Sequence, residues 1–158
     1  MSERERRLQE LGVPETVIRL AVDDHGEDMF FFRCQEPPPP KELRFPEGRP
    51  AEALWQCAGW VTAVRAGEAG LEYLGFEASD PEAWQVVAKS AEGLLANLFS
   101  DLVEDEDWDE EPEEARAGLE GAAEAVGFGH LDELLAFQER HADEEDYAEI
   151  LAEWTRTL

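Results

Sequence analysis

The sequence predicts an α+β fold: an antiparallel or mixed sheet flanked by a long helix, with a C-terminal helical segment. Three patterns carry that prediction. Residues alternate in polarity from Leu54 to Ala78, apolar residues recur every three or four positions from Trp84 to Leu102, and three shorter helical repeats follow an acidic break. The expected division is an α+β sheet domain over 1–106 and, packed on it, an acidic linker with a small three-helix segment over 107–158.

Residues 3–20 carry Leu8, Leu11, Val17 and Leu20 near one stripe, with Gly12 and Pro14 marking a break before a second short helix. Met29–Cys34 is an aromatic run bounded by Asp24–Gly26 and Pro37–Pro40, which predicts a short strand running into a loop. The four prolines enforce an extended stretch, either a stiff connector or a docking site for a proline-recognising domain. Leu54–Gln56, Trp60–Ala66 and Leu71–Ala78 read as strands, the last two forming a hairpin around Gly67-Glu68-Ala69-Gly70. Ser79-Asp80-Pro81-Glu82 has the composition of a helix start, with a capping side chain, proline in the first turn and an acid at the positive end of the dipole. A helix from there to Leu102 would cover one face of the sheet.

Glu104–Glu114 places nine acids in eleven positions and predicts a solvated linker. Trp108 stands in its middle, and a large aromatic there either tucks back onto the domain or stands out as a partner's anchor. Three helices are expected after it, over Ala115–Val126, Leu131–Glu139 and Glu144–Trp154, separated at Gly127-Phe-Gly129 and His141-Ala-Asp143.

Charge divides the chain as sharply as structure does. Residues 66–158 hold 27 of the 39 Asp and Glu but four of the 13 Lys and Arg, a net −23, whereas residues 1–65 carry about −3. With 43% hydrophobic residues the chain has enough apolar surface to fold despite its net −26. Nucleic acid and anionic membrane surfaces are bound by cationic residues that neutralise phosphates, so neither is an expected partner. Two cysteines make no disulfide framework, no apolar stretch follows the N-terminus, and no run reaches the length of a membrane span. The expected location is the cytoplasm.

Catalytic and metal chemistry find little to stand on. His25, His130 and His141 are scattered, no Cys-x-x-Cys occurs, and the acidic run lacks the central glycine and the terminal Glu spacing of a calcium loop. Glycine-rich phosphate cradles are missing too. Cys34 and Cys57 could approach His25, but cysteine on a strand is ordinarily a small core residue. Paired carboxylates occur throughout, so no two stand out as acid and base. No enzymatic activity, metal or cofactor is expected.

The middle of the chain resembles the SUKH superfamily of Smi/Knr-type proteins, many of which act as immunity proteins against polymorphic toxins. The resemblance covers about 50 residues: Leu54-Trp55-Gln56-Cys57, Val61-Thr62-Ala63-Val64, Leu71-Glu72-Tyr73-Leu74-Gly75-Phe76, Asp80-Pro81 and the stretch Val86–Phe99. It implies a sheet flanked by helices, no catalysis, and a surface that neutralises a toxin by covering it. The expected function is therefore that of an acidic, immunity-like binding protein that occludes a basic protein target such as a toxin. Its candidate contacts are Glu104, Asp105, Glu106, Asp107, Trp108, Asp109, Glu110 and Glu111, which alternatively only hydrate a loop. DNA mimicry shares these electrostatics. A structural or regulatory scaffold that homodimerises through the C-terminal helices is the alternative from another class.

Overall fold

The computed structural model describes residues 2–26 and 28–158. Helix α1 (Glu3–Leu11) starts where the Ser2 hydroxyl accepts the Glu5 N–H at 3.1 Å and ends at Gly12. Pro14 then leads into α2 (Glu15–Val22), so the predicted break is present. Four strands follow, β1 (Glu52–Cys57), β2 (Trp60–Ala66), β3 (Leu71–Glu77) and β4 (Asp80–Ala88). They form one sheet in the order β1-β2-β3-β4, antiparallel throughout.

Two irregularities in this meander decide which side chains face the helices. Leu54 is an extra residue between Ala53, paired with Ala63, and Trp55, paired with Thr62. This bulge turns both Leu54 and Trp55 toward the helical side, while Ala53 joins the opposite face. Val87 is likewise extra opposite the Tyr73–Leu74 step, and Val87 and Ala88 both enter the helix-side core.

The expected helix start at Ser79–Glu82 is instead the end of a tight turn and the first residues of β4. Trp84, Val87 and Ala88 satisfy a helical period, but Trp84-Gln85-Val86 also alternates, and the aromatic and β-branched residues there favour a pleated surface. Pairing with β3 settles the competition, since Leu74, Gly75 and Phe76 match Val86, Gln85 and Trp84. The helix begins at Ser90, whose hydroxyl accepts the Gly93 N–H at 3.0 Å, and runs as α3 (Ala91–Asp105). Leu94, Leu95, Leu98, Phe99, Leu102 and Val103 are all buried. Each contributes on the order of 2 kcal/mol relative to exposure.

Met29–Cys34 is not a strand either. The run has no alternation, and Phe30 and Cys34, four residues apart, turn inward on one side of a helical turn closed by the Cys34 N–H donating to the Phe30 carbonyl at 2.8 Å. Phe30 meets Phe99 edge-on at 6.0 Å between centroids. Strand pairing reaches only Gln35, which bridges to Gln56.

Helices α4 (Pro112–Val126), α5 (Leu131–His141) and α6 (Tyr147–Thr157) stand close to the three expected helical segments. Leu119, Ala123, Phe128, Leu131, Leu134, Phe137 and Leu151 join the same core as α1–α3 and one face of the sheet. The other face packs under the segment from Leu43 to Phe45, with Val61, Ala63 and Phe76 beneath it. Arg65, 3% exposed on this side, is held by Glu47 at 2.8 Å and Glu72 at 3.3 Å. Among the described residues no helix is long and apolar enough to cross a membrane.

Helix α6 is fixed by one close approach. The Thr155 hydroxyl donates to the Val87 carbonyl at 2.6 Å, and a Cβ at Gly93 would overlap the Thr155 carbonyl oxygen. Gly93→Ala is therefore expected to cost about 1–3 kcal/mol through overpacking and to raise amide exchange selectively in α6. Gly121→Ala, in an exposed helical position with nothing within 4 Å, should instead gain about 0.5–1 kcal/mol. Urea unfolding and hydrogen exchange of the two variants check both signs.

Candidate functional site

The acidic run is divided between two helices and a turn. Glu104 and Asp105 belong to the last turn of α3, Glu106 caps it, and Pro112 already opens α4. The linker expected over 104–114 thus shrinks to six residues, because Glu113 and Glu114 are favoured at the positive end of the α4 dipole. Asp107 organises what remains: its Oδ1 accepts the Asp109 N–H at 3.2 Å and the Glu110 N–H at 3.1 Å. Trp108 turns inward, donating its indole N–H to the Val103 carbonyl at 2.8 Å and packing on the core. It ties the turn to α3 and stays half-buried. The side chains of Glu104, Asp105, Asp107, Asp109, Glu110 and Glu111 are exposed and Glu106 is half-buried.

Acids at the C-terminal end of α3 face the negative pole of its own dipole, and that last turn contains no base. Arg33 compensates. Its Nε and an Nη donate to the two carboxylate oxygens of Asp105 at 2.8 and 2.7 Å, a fork that raises the guanidinium pKa, first through that hydrogen bonding. The pair joins the 28–34 turn to the acidic ridge. That turn carries Phe31 and Phe32, 56% and 53% exposed, the most open large apolar residues described. The aromatic composition of the run points them into a strand. Their departure from alternation, three phenylalanines in succession, is the signal that could have exposed them.

Behind Arg33 a cleft of about 280 Å³ opens between the helix-facing side of the sheet and helices α3 and α6. Trp55, Trp60 and Thr62 contribute from β1 and β2, Gln85 and Val87 from β4, and Asn97 and Asp101 from α3. Trp60, whose register partner in β3 is Glu77, lies over the diagonal position Gly75, where a Cβ would come within 2.7 Å of the indole. Ala148 lines the α6 side, two residues after the exposed acids Asp143–Asp146. Two acidic segments therefore flank the cleft.

Asp101 is the carboxylate inside it. Its pKa is pushed up to about 6 by burial, against the pull of Arg33 and with help from Glu104 and Asp105. No hydrogen bond or ion pair to its carboxylate forms among the described residues. Burial also pushes the Cys34 thiol up, which leaves little thiolate for nucleophilic chemistry. Cys57 sits at the cleft, its Sγ 3.9 Å from an Arg33 nitrogen, and His25 instead bonds the Leu20 carbonyl and Asp28. The described residues hold no group of three or more His, Cys, Asp or Glu arranged to bind a metal ion.

Two outcomes follow from these charges. Because the folded Asp101 carboxyl keeps its proton to higher pH than the unfolded one, its ionisation destabilises the fold. The penalty is absent below about pH 4, grows as pH rises to about 6, and is complete above that. Asp101→Asn is expected to add about 1–3 kcal/mol in urea unfolding near pH 7.5 and nothing near pH 4. Arg33→Gln should cost about 1 kcal/mol at low salt, a loss that shrinks in molar NaCl as screening weakens the pair. Comparison of the chain with protein-family models, with curated proteins and with solved structures finds no match.

Proposed function

We propose that the protein is a non-enzymatic binding protein of the cytoplasm whose acidic ridge covers a basic protein. The observation that carries this reading is the junction made by Arg33: one bidentate pair sets two exposed phenylalanines beside a ridge of exposed carboxylates. Apolar anchors next to a charged rim are the composition of a protein interface, with the charges raising the encounter rate and the aromatic side chains supplying contact area. Phe31 and Phe32 take the anchoring role, since Trp108 is turned inward. Toxin neutralisation in the manner of the SUKH superfamily is the specific form of this reading, implied by the resemblance of residues 54–99.

The scaffold alternative, a homodimer through the C-terminal helices, gains no support from their apolar residues. Leu119, Leu134, Phe137 and Leu151 are buried in the chain's own core.

The ridge can be tested without unfolding it. Asp105 holds Arg33 and Asp107 holds the turn, so the residues to reverse are Asp109, Glu110 and Glu111. The immobilised protein should retain basic proteins from a host lysate at about 0.15 M NaCl and release them by about 0.5 M, as screening shortens the range of the attraction. The triple Lys variant should retain none of them, and Phe31→Ser with Phe32→Ser should weaken retention at about 0.15 M. Equal retention by the triple variant would remove the ridge from the function.

A further inference from the structure

We propose that the cleft between the sheet and helices α3 and α6 takes one arginine or lysine side chain of the basic partner. This rests on the proposed capture of a basic protein and adds to it the residues that would select a particular side chain. The geometry for a cation is assembled from four elements, β1, β2, β4 and α3. Trp55 and Trp60 bring two indoles to the lining, and indole is the aromatic ring that attracts a cation most strongly. Asp101 supplies a carboxylate to which no side chain or backbone group among the described residues donates. Asn97 and Gln85 add side-chain carbonyl oxygens, and neither amide is engaged in a hydrogen bond among those residues.

Arg33 also borders the cleft and would repel a cation if its charge were uncompensated. Asp105 takes it up through two hydrogen bonds, and the other Nη of Arg33 faces the Cys57 sulfur at 3.9 Å. Arg33, Asp105 and Asp101 together leave one negative charge, and it belongs to Asp101. The volume of about 280 Å³ lies below the range of drug-sized ligand pockets and suits a single long side chain. Acids flanking both sides, at 104–111 and 143–146, would steer a cation toward it. A carboxylate that destabilises the fold and is nevertheless placed in a cleft has the character of a binding residue held at a cost in stability.

The five tryptophans make the test selective, because each reports a different place. Trp55 and Trp60 line the cleft, Trp84 packs under Arg65 on the opposite face, Trp108 bonds the ridge turn to α3, and Trp154 stacks on Phe137. The ¹⁵N-labelled protein would be titrated near pH 7.5 with the blocked tripeptides acetyl-Gly-Arg-Gly-amide and acetyl-Gly-Lys-Gly-amide, and with neutral versions carrying citrulline or norleucine, following the indole resonances. The expected result is saturable shifts at Trp55 and Trp60 with the arginine or lysine peptide, none with either neutral peptide, and at least tenfold weaker binding in Asp101→Asn. Since that variant is expected to be more stable than the parent, loss of binding would not reflect unfolding. Shifts confined to Trp108 would overturn the cleft and leave the ridge standing. Equal shifts with citrulline, or unchanged affinity in Asp101→Asn, would also overturn it. If Asp101→Asn retains lysate proteins as the parent does while the ridge variant retains none, the cleft proposal alone fails.

Discussion

The seating of α6 at the junction of α3 and β4 is the contact on which the rest of the architecture depends. Gly93 lets the Thr155 backbone touch α3, and the Thr155 hydroxyl satisfies the Val87 carbonyl in the bulged part of β4. A buried carbonyl left without a donor would cost about 1–3 kcal/mol, so the hydroxyl and the missing Cβ act together. With α6 in place the helix-side core is closed, and Ala148 and Leu151 become part of the cleft wall. Remove that seating and the cleft has only one helical side.

Charge is arranged by the same economy of contacts. The cations of the first half are largely engaged within the fold: Arg4 donates to the carbonyls of Ala21, Ala53 and Leu54, Arg65 is buried between Glu47 and Glu72, and Arg19 meets Glu5, Glu15 and Asp23. Of the acids in the second half, few have a cation within reach. Arg33 reaches Asp105, Arg65 reaches Glu72, and Arg116 reaches Glu120 and Asp132. The negative surface is therefore a property of the folded molecule as much as of its composition, because its counterions are structural elements elsewhere.

Much of the architecture was legible in the sequence where one periodicity had no competitor. Trp60–Ala66 and Leu71–Glu77 alternate cleanly and pair as read, and the glycine and proline breaks at 12–14 and 127–129 separate helices as expected. Residues 80–88 form a strand where a helix is expected because Pro81 after Ser79-Asp80 suits a helix start as well as a strand following a tight turn, and only the partner strand decides. Phe30 and Cys34 differ from the expected strand for the converse reason: a single helical turn is too short to show a period. Within the site, the acidity of 104–111 was plain, and the inward turn of Trp108 was one of two readings. The cleft was not legible at all. Trp55, Trp60, Asn97 and Asp101 come from three elements, and two features that bring them together, the bulge at Leu54 and the space over Gly75, are tertiary events.

The bridge between Gln35 and Gln56 has a further consequence for the exposed edge of the sheet. Gln35 extends the meander beyond β1 by a single residue, through hydrogen bonds of 3.1 and 2.9 Å, and Pro37–Pro40 follow almost at once. Four successive residues without an N–H cannot template another strand. The proline run thus works as a terminator that keeps the margin of the sheet from recruiting a second copy into a growing aggregate.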